Sequence, residues 1–444
     1  LYLKKGFFPA SVTNFSLLRK LLSPSDGNFA PAKRLRFMKD MIVRFSALAL
    51  LATGFTACDK NDNPDENNGV QFRPQMSYNN LTATSNYLEI FKDAQGNQTV
   101  DFSGQTLRQD MMAELDSVMR IPAGAHAAKG VPAGAVSATL LKNMYAHTAS
   151  PFRQAALNAA ADKQLKAKTA GSFSAVAADA ERARFDGWLE KVATASQSFD
   201  KVAADGQAGM AVTNNGSKYL VDEKGIEYGQ LVQKGLIGAL LMDQMLNVYL
   251  GTEKLSLDNT KLVDGKFYTA REHSWDEAYG YLTKNAVYPT PNPADPARFL
   301  ERYLGTYVRP IGNAADLYVA LLKGRAAVVN NDNATRDAQV ALIRQHVEKA
   351  LATFAISYLN RTKEALASDP AVAMHNFGEG AGFVYALRFG PSGKISVAKS
   401  DEQLNKLIGG TKGFYSLTPA IIDEVRNEIA TLYNIDPTTK ASHS

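Results

Sequence analysis

His273 and Glu277 stand four residues apart, and so do His375 and Glu379. On a helix that spacing puts both side chains on one face, so an imidazole nitrogen and a carboxylate can approach the same cation. The surrounding residues repeat as well. His273-Ser-Trp-Asp-Glu277-Ala-Tyr-Gly280-Tyr281 aligns without gaps with His375-Asn-Phe-Gly-Glu379-Gly-Ala-Gly382-Phe383: His, x, aromatic, x, Glu, small, x, Gly, aromatic in both. Two such helices brought together would offer two His and two Glu, a ligand set suited to iron or zinc. The plainer reading makes Trp275, Tyr279, Phe377 and Phe383 core residues, has Glu277 and Glu379 capping or pairing across helices, and leaves the histidines hydrogen-bonded and without a ligand.

Several other chemistries lack their motifs. There is no Gly-x-Ser-x-Gly elbow, no phosphate-binding loop ending in Lys-Ser or Lys-Thr, and no His-Glu-x-x-His. Asn331, Asp332 and Asn333 run into Ala334 without the glycine and distant glutamate of a calcium loop. Asp276 and Glu277 are adjacent and point to different faces, so they do not form a glycosidase pair.

The elements that must position the His-Glu pairs are mostly helical. Leu107, Met111, Leu115 and Val118 recur at helical spacing, as do Leu140, Leu141, Met144 and Tyr145, and Phe185, Trp188, Leu189 and Val192. The run from Leu231 to Leu250 is apolar on nearly all sides and predicts a central buried helix, with Gly235, Gly238 and Ala239 admitting close neighbours. Val340, Ile343, Val347, Leu351, Phe354 and Tyr358 trace a long helix; Pro419 opens a last one carrying Ile422, Val425 and Ile429. Strand signals are few: Lys218–Val221 and 226–228, separated by Asp222 to Gly225, predict one small β-hairpin. The expectation is a mainly α fold, a helical bundle of residues 76–440, and the repeated pattern suggests two pseudo-repeated bundles, about 76–290 and 291–440.

The N-terminal region carries an address. Lys39 and Arg44 precede an apolar stretch from Phe45 to Phe55, which at eleven residues is too short to span a bilayer and reads as a signal sequence. Small Ala57 then precedes Cys58, the only cysteine of the chain. This resembles a bacterial lipobox, with Phe55 and Thr56 where Leu and a smaller residue are commoner, and it implies a signal peptide over 38–57 with lipidation at Cys58. Residues 1–37 have neither sustained period nor cap and read as translated upstream sequence, with Met38 or Met41 as the start. Residues 58–75, rich in Asp, Asn and Pro, form an acidic flexible tether.

This division changes the charge. Residues 1–57 hold nine Lys or Arg against two Asp or Glu, so a whole-chain net charge of +5 becomes −2 from Cys58 onward. The basic balance belongs to the leader, and no nucleic-acid partner is expected.

The stretches KYLVDEKGIEYGQLVQKGLIGALLMDQMLNVYLG, EHSWDEAYGYL, LLKGRAAVVNNDNATRDAQVALIR and HNFGEGAGFVYALRF resemble the signature blocks of an uncharacterised family of Bacteroidetes-type lipoproteins, in matching order from about 76 to 435. The resemblance implies a mostly helical lipoprotein of no established activity. A more distant similarity is to imelysin-like proteins, two-bundle helical proteins of the periplasm or outer membrane linked to iron uptake. Their motif is Gly-x-His-x-x-Glu; here Arg271 and Ala373 replace the glycine and each Glu lies one position further on. The resemblances and the lipobox together imply an outer-membrane lipoprotein, periplasm-facing or at the cell surface, held by lipid on Cys58. It would bind iron, haem or another metal-containing ligand as an accessory of an uptake system. The alternatives are a metal-dependent peptidase, in which Glu277 or Glu379 activates a metal-bound water, and a docking lipoprotein with no small ligand.

Overall fold

The structure, a computed structural model of the chain, describes residues 72–305 and 314–441. Cys58, the leader segments 1–37 and 38–57, and the tether up to residue 71 lie outside the described residues. The fold is mainly α, as its periodicity predicts, with a single two-stranded antiparallel hairpin among the described residues.

In chain order the principal elements are α1 (Ser103–Met119), α2 (Ala138–Ala146), α3 (Ala175–Ser196), β1 (Gly209–Val212), β2 (Lys218–Val221), α4 (Tyr228–Leu236), α5 (Ile237–Tyr249), α6 (Ala270–Leu282), α7 (Phe299–Leu304), α8 (Ala314–Val329), α9 (Asn333–Ala365), α10 (Pro370–Ala386), α11 (Val397–Ile408) and α12 (Pro419–Tyr433). The long helix α9 packs against α8, α10 and α12, and α10 in turn lies against α4. On the other side α6 packs on α5, α1 and α8. One apolar cluster runs through all of these layers, from Leu81 to Ala441.

Two expectations change in detail. The predicted buried helix over 231–250 is helical throughout, but at Ile237 it passes from α to π geometry and holds that wider turn to Tyr249. Asp243, fully buried in this apolar run, accepts hydrogen bonds from the Ser172 amide and from Asn247. The hairpin is also placed differently. Lys218–Val221 does form a strand, but its partner is the upstream segment Gly209–Val212, in register Gly209 to Val221 and Val212 to Lys218. Residues 226–228 instead lead into α4. Two turns compete for β2: Thr213 to Ser217, with Gly216 at φ 85°, and Asp222 to Gly225, with Gly225 at φ 71°. In the second, the Asp222 carboxylate accepts from the Lys224 and Ile226 amides, and this closes the loop before a second ladder can start.

Candidate functional site

The two His-Glu segments lie near the starts of helices whose caps fix them. Thr269 and Glu272 form a capping box at the head of α6. The Asp369 side chain accepts from the Val372 amide at the head of α10, with Pro370 at the first turn. Helical phase then buries Trp275, Tyr279, Phe377 and Phe383 completely. It leaves His273 and His375 half-buried on the opposite side.

Within each segment the pair is brought together. His273 Nε2 lies 3.8 Å from Glu277 Oε2, and His375 Nε2 lies 4.0 Å from Glu379 Oε2. Each imidazole rests on a tyrosine ring: His273 on Tyr268 at 4.6 Å between centroids, His375 on Tyr219 at 4.0 Å. The pairs do not combine with one another. Glu277 accepts from Gln105 of α1 and from the Tyr249 hydroxyl, whereas Glu379 is held by Lys234 of α4. Among the described residues no group of three or more His, Cys, Asp or Glu is arranged to hold a metal ion.

The repeat extends beyond the helices that carry it. A Cβ on Gly280 would stand 2.5 Å from Phe102 and 2.9 Å from the Cβ of Gln105; a Cβ on Gly382 would stand 2.6 Å from the Cβ of Lys234. Both glycines therefore exist to let a second helix approach. The residue each one meets, Gln105 or Lys234, is also the residue that binds the glutamate one turn earlier. Gln105 and Lys234 are thus counterparts: α6 on α1 repeats as α10 on α4, with a neutral amide in one case and an ammonium in the other.

That exchange gives the second site its charge. The Lys234 side chain is only 3% exposed; its ammonium is 2.9 Å from Glu379 and also donates to the Gln233 side-chain carbonyl. His375 donates from Nδ1 to Glu227 Oε2 at 2.7 Å. Burial would pull the His375 pKa down, but the Glu227 and Glu379 carboxylates outweigh it and the imidazole titrates above its ordinary value. Burial would likewise push the Glu379 carboxyl up, but Lys234 and His375 overcome it and hold it below the usual range. The result is a row in which the His375 imidazole lies between the Glu227 and Glu379 carboxylates, and Glu379 in turn meets the Lys234 ammonium.

His375 and Glu379 open onto a cavity of about 580 Å³ between α1, α4, α7, α9 and α10. Its walls carry Arg120, Lys234, Arg298, Arg302 and Arg361 against Asp116 and Glu379, a clear excess of positive charge. Asp116 is taken up by Arg120 at 2.8 Å and by Gln233 at 2.6 Å. Arg298 is met by Asp295 and, more distantly, by Asp110, and Arg361 lies over the Tyr358 ring. Arg302, exposed at the cavity wall, makes no side-chain hydrogen bond or ion pair with a described residue. A site so lined attracts anions and orients carboxylate or phosphate oxygens through guanidinium forks.

The His-Glu spacing contains His375 and Glu379 but carries no sign of Glu227, Tyr219 or the arginines that the fold brings beside them. Lys234 did carry a signal: it is a lone cation inside the apolar run 231–250, and a lysine is rarely buried unless paired.

The fold and this cleft define the class: a mainly helical protein with a basic internal cavity beside a buried charge row. Residues 90–436 match a family model described as a domain of unknown function, DUF4856, and the chain belongs to that family. Neither curated proteins nor solved structures provide a match.

Proposed function

We propose that the protein is a non-enzymatic binding lipoprotein, tethered to the outer membrane through lipid on Cys58, whose basic cavity captures an anionic small molecule for an uptake system. The observation that carries this reading is the 580 Å³ cavity with five basic side chains against two acidic ones. His375, Glu379 and Lys234 line the cavity and are held in place by contacts with one another and with Glu227.

The charge of the cavity also shapes the iron and haem reading. Each His-Glu pair supplies two ligands, fewer than zinc or iron usually takes from protein, and Glu227 approaches the far nitrogen of His375 instead of completing a set around one ion. A metal-containing ligand would therefore enter as an anion that brings its own metal. The peptidase alternative, which needs a protein-held metal to activate water, draws no support from this geometry.

Calorimetric titration of the purified full chain with inorganic phosphate, citrate and haem tests the proposal. At least one should bind, and Arg302→Glu should weaken it tenfold or more; no saturable binding of any of them would sink the reading. Tethering is tested separately: Cys58→Ser should abolish incorporation of labelled palmitate and move the protein from the membrane fraction. No described helix is long and apolar enough to cross a membrane.

A further inference from the structure

A second cavity, of about 300 Å³, adjoins the basic one and shares Asp116, Arg120, Gln230 and His375 with it. Its character is different. Met119, Ala123, Val192, Ala195, Leu220 and Ile226 supply its apolar walls. Tyr219, which lines this cavity, stacks at 4.0 Å and 9° from parallel on His375, which lines both.

The groove lies at a seam in the core. Ala195 and Leu220, with Met210 and the partly buried Ala123, form a small apolar cluster separate from the main one. Met119, Val192 and Ile226 belong to the main core. The groove is thus bounded by apolar side chains of two clusters that do not merge, and its lining forgoes dispersion contacts that a chain laid between them would restore. His375 and Arg120 line both chambers, so occupants of the two would lie against the same side chains.

We propose that the ligand is an amphipathic anion: its phosphate or carboxylate end sits among the arginines of the larger cavity, and an alkyl chain of several carbons occupies the apolar groove. This rests on the proposal of an anion-binding cavity and names the class of ligand. Asp116 at the junction does not oppose it, since Arg120 and Gln233 already engage that carboxylate.

The test compares methyl phosphate with dodecyl phosphate, below its micelle concentration, on the full chain. Each buried methylene strengthens binding by about fourfold, so dodecyl phosphate should bind at least tenfold more tightly. Ala125→Trp, at an exposed position lining the groove, and Ala123→Phe should each fill the groove and remove that gain while leaving methyl phosphate binding within twofold. Arg302→Glu should weaken both ligands. Equal affinities for the two phosphates, or a chain-length gain untouched by both groove variants, would overturn the inference and leave the anion site standing. Failure of both ligands to bind would remove the anion site as well.

Discussion

The imidazole of His375 lies flat on the ring of Tyr219, centroids 4.0 Å apart, while its Nδ1 donates to Glu227 at 2.7 Å. A residue from the hairpin and a residue just before α4 thereby fix a side chain of α10. The histidine has one orientation, with Nε2 turned toward Glu379.

This environment predicts a raised pKa for His375. Because the folded-state value lies above the unfolded one, the imidazolium stabilises the fold fully below the unfolded pKa, and that contribution is lost as pH rises through the folded pKa. NMR titration of the histidine ring protons should place His375 above 6.5, the ordinary value for His. Glu227→Gln should bring it down by removing the strongest of the raising influences. An unchanged titration in that variant would mean that Glu227 does not govern it.

Lys234 and Glu379 form a buried pair, 3% and 10% exposed at the side chain. Removing one partner leaves an uncompensated charge, so Lys234→Met should destabilise the protein by about 3 kcal/mol in denaturant unfolding. The double variant Lys234→Met with Glu379→Gln should recover most of that loss. If the single and double variants are equally destabilised, the lysine contributes by packing and not by charge.

Glu301, at the base of α7 beside Arg302, has its carboxyl pushed up by burial to about 7, against partial relief from Thr283 and Asn285. The folded protein therefore holds this proton more tightly than the unfolded chain, and stability falls as pH rises from about 4.5 to 7. Glu301→Gln should flatten that stretch of the profile. It should stabilise the protein at pH 8.5 by at most about 3 kcal/mol and change little at about pH 4.

Two glycine substitutions should act in opposite directions. Gly382→Ala places a Cβ 2.6 Å from the Cβ of Lys234 and should cost about 1 to 3 kcal/mol by forcing α10 from α4. Gly187→Ala, mid-helix in α3 with nothing within 4 Å of its new Cβ, should instead add about 0.5 to 1 kcal/mol. Chemical denaturation of both variants provides the comparison.

The spacing of apolar residues was enough to determine the helical class, the positions of α1 to α5, α9 and α12, though not of α8 or α11, and the burial of Trp275 and Phe377, because which face of a helix turns inward is a local property. The same periodicity placed His375 with Glu379 and His273 with Glu277. It did not determine what each pair would meet. Gln105 and Lys234 lie far from their glutamates in the chain, and they reach them only because Gly280 and Gly382 allow two helices to close upon each other. The arginines of the cavity come from the residue after α1, the residue before α7, α7 itself and α9; no sequence period relates them. The partner strand of the hairpin was misplaced for a related reason, since turns stood on both sides of Lys218–Val221 and the Asp222 carboxylate decided between them. Helical phase is written within a few residues, whereas the charge of a cavity is set by which distant helices pack together, and that was left to the tertiary structure.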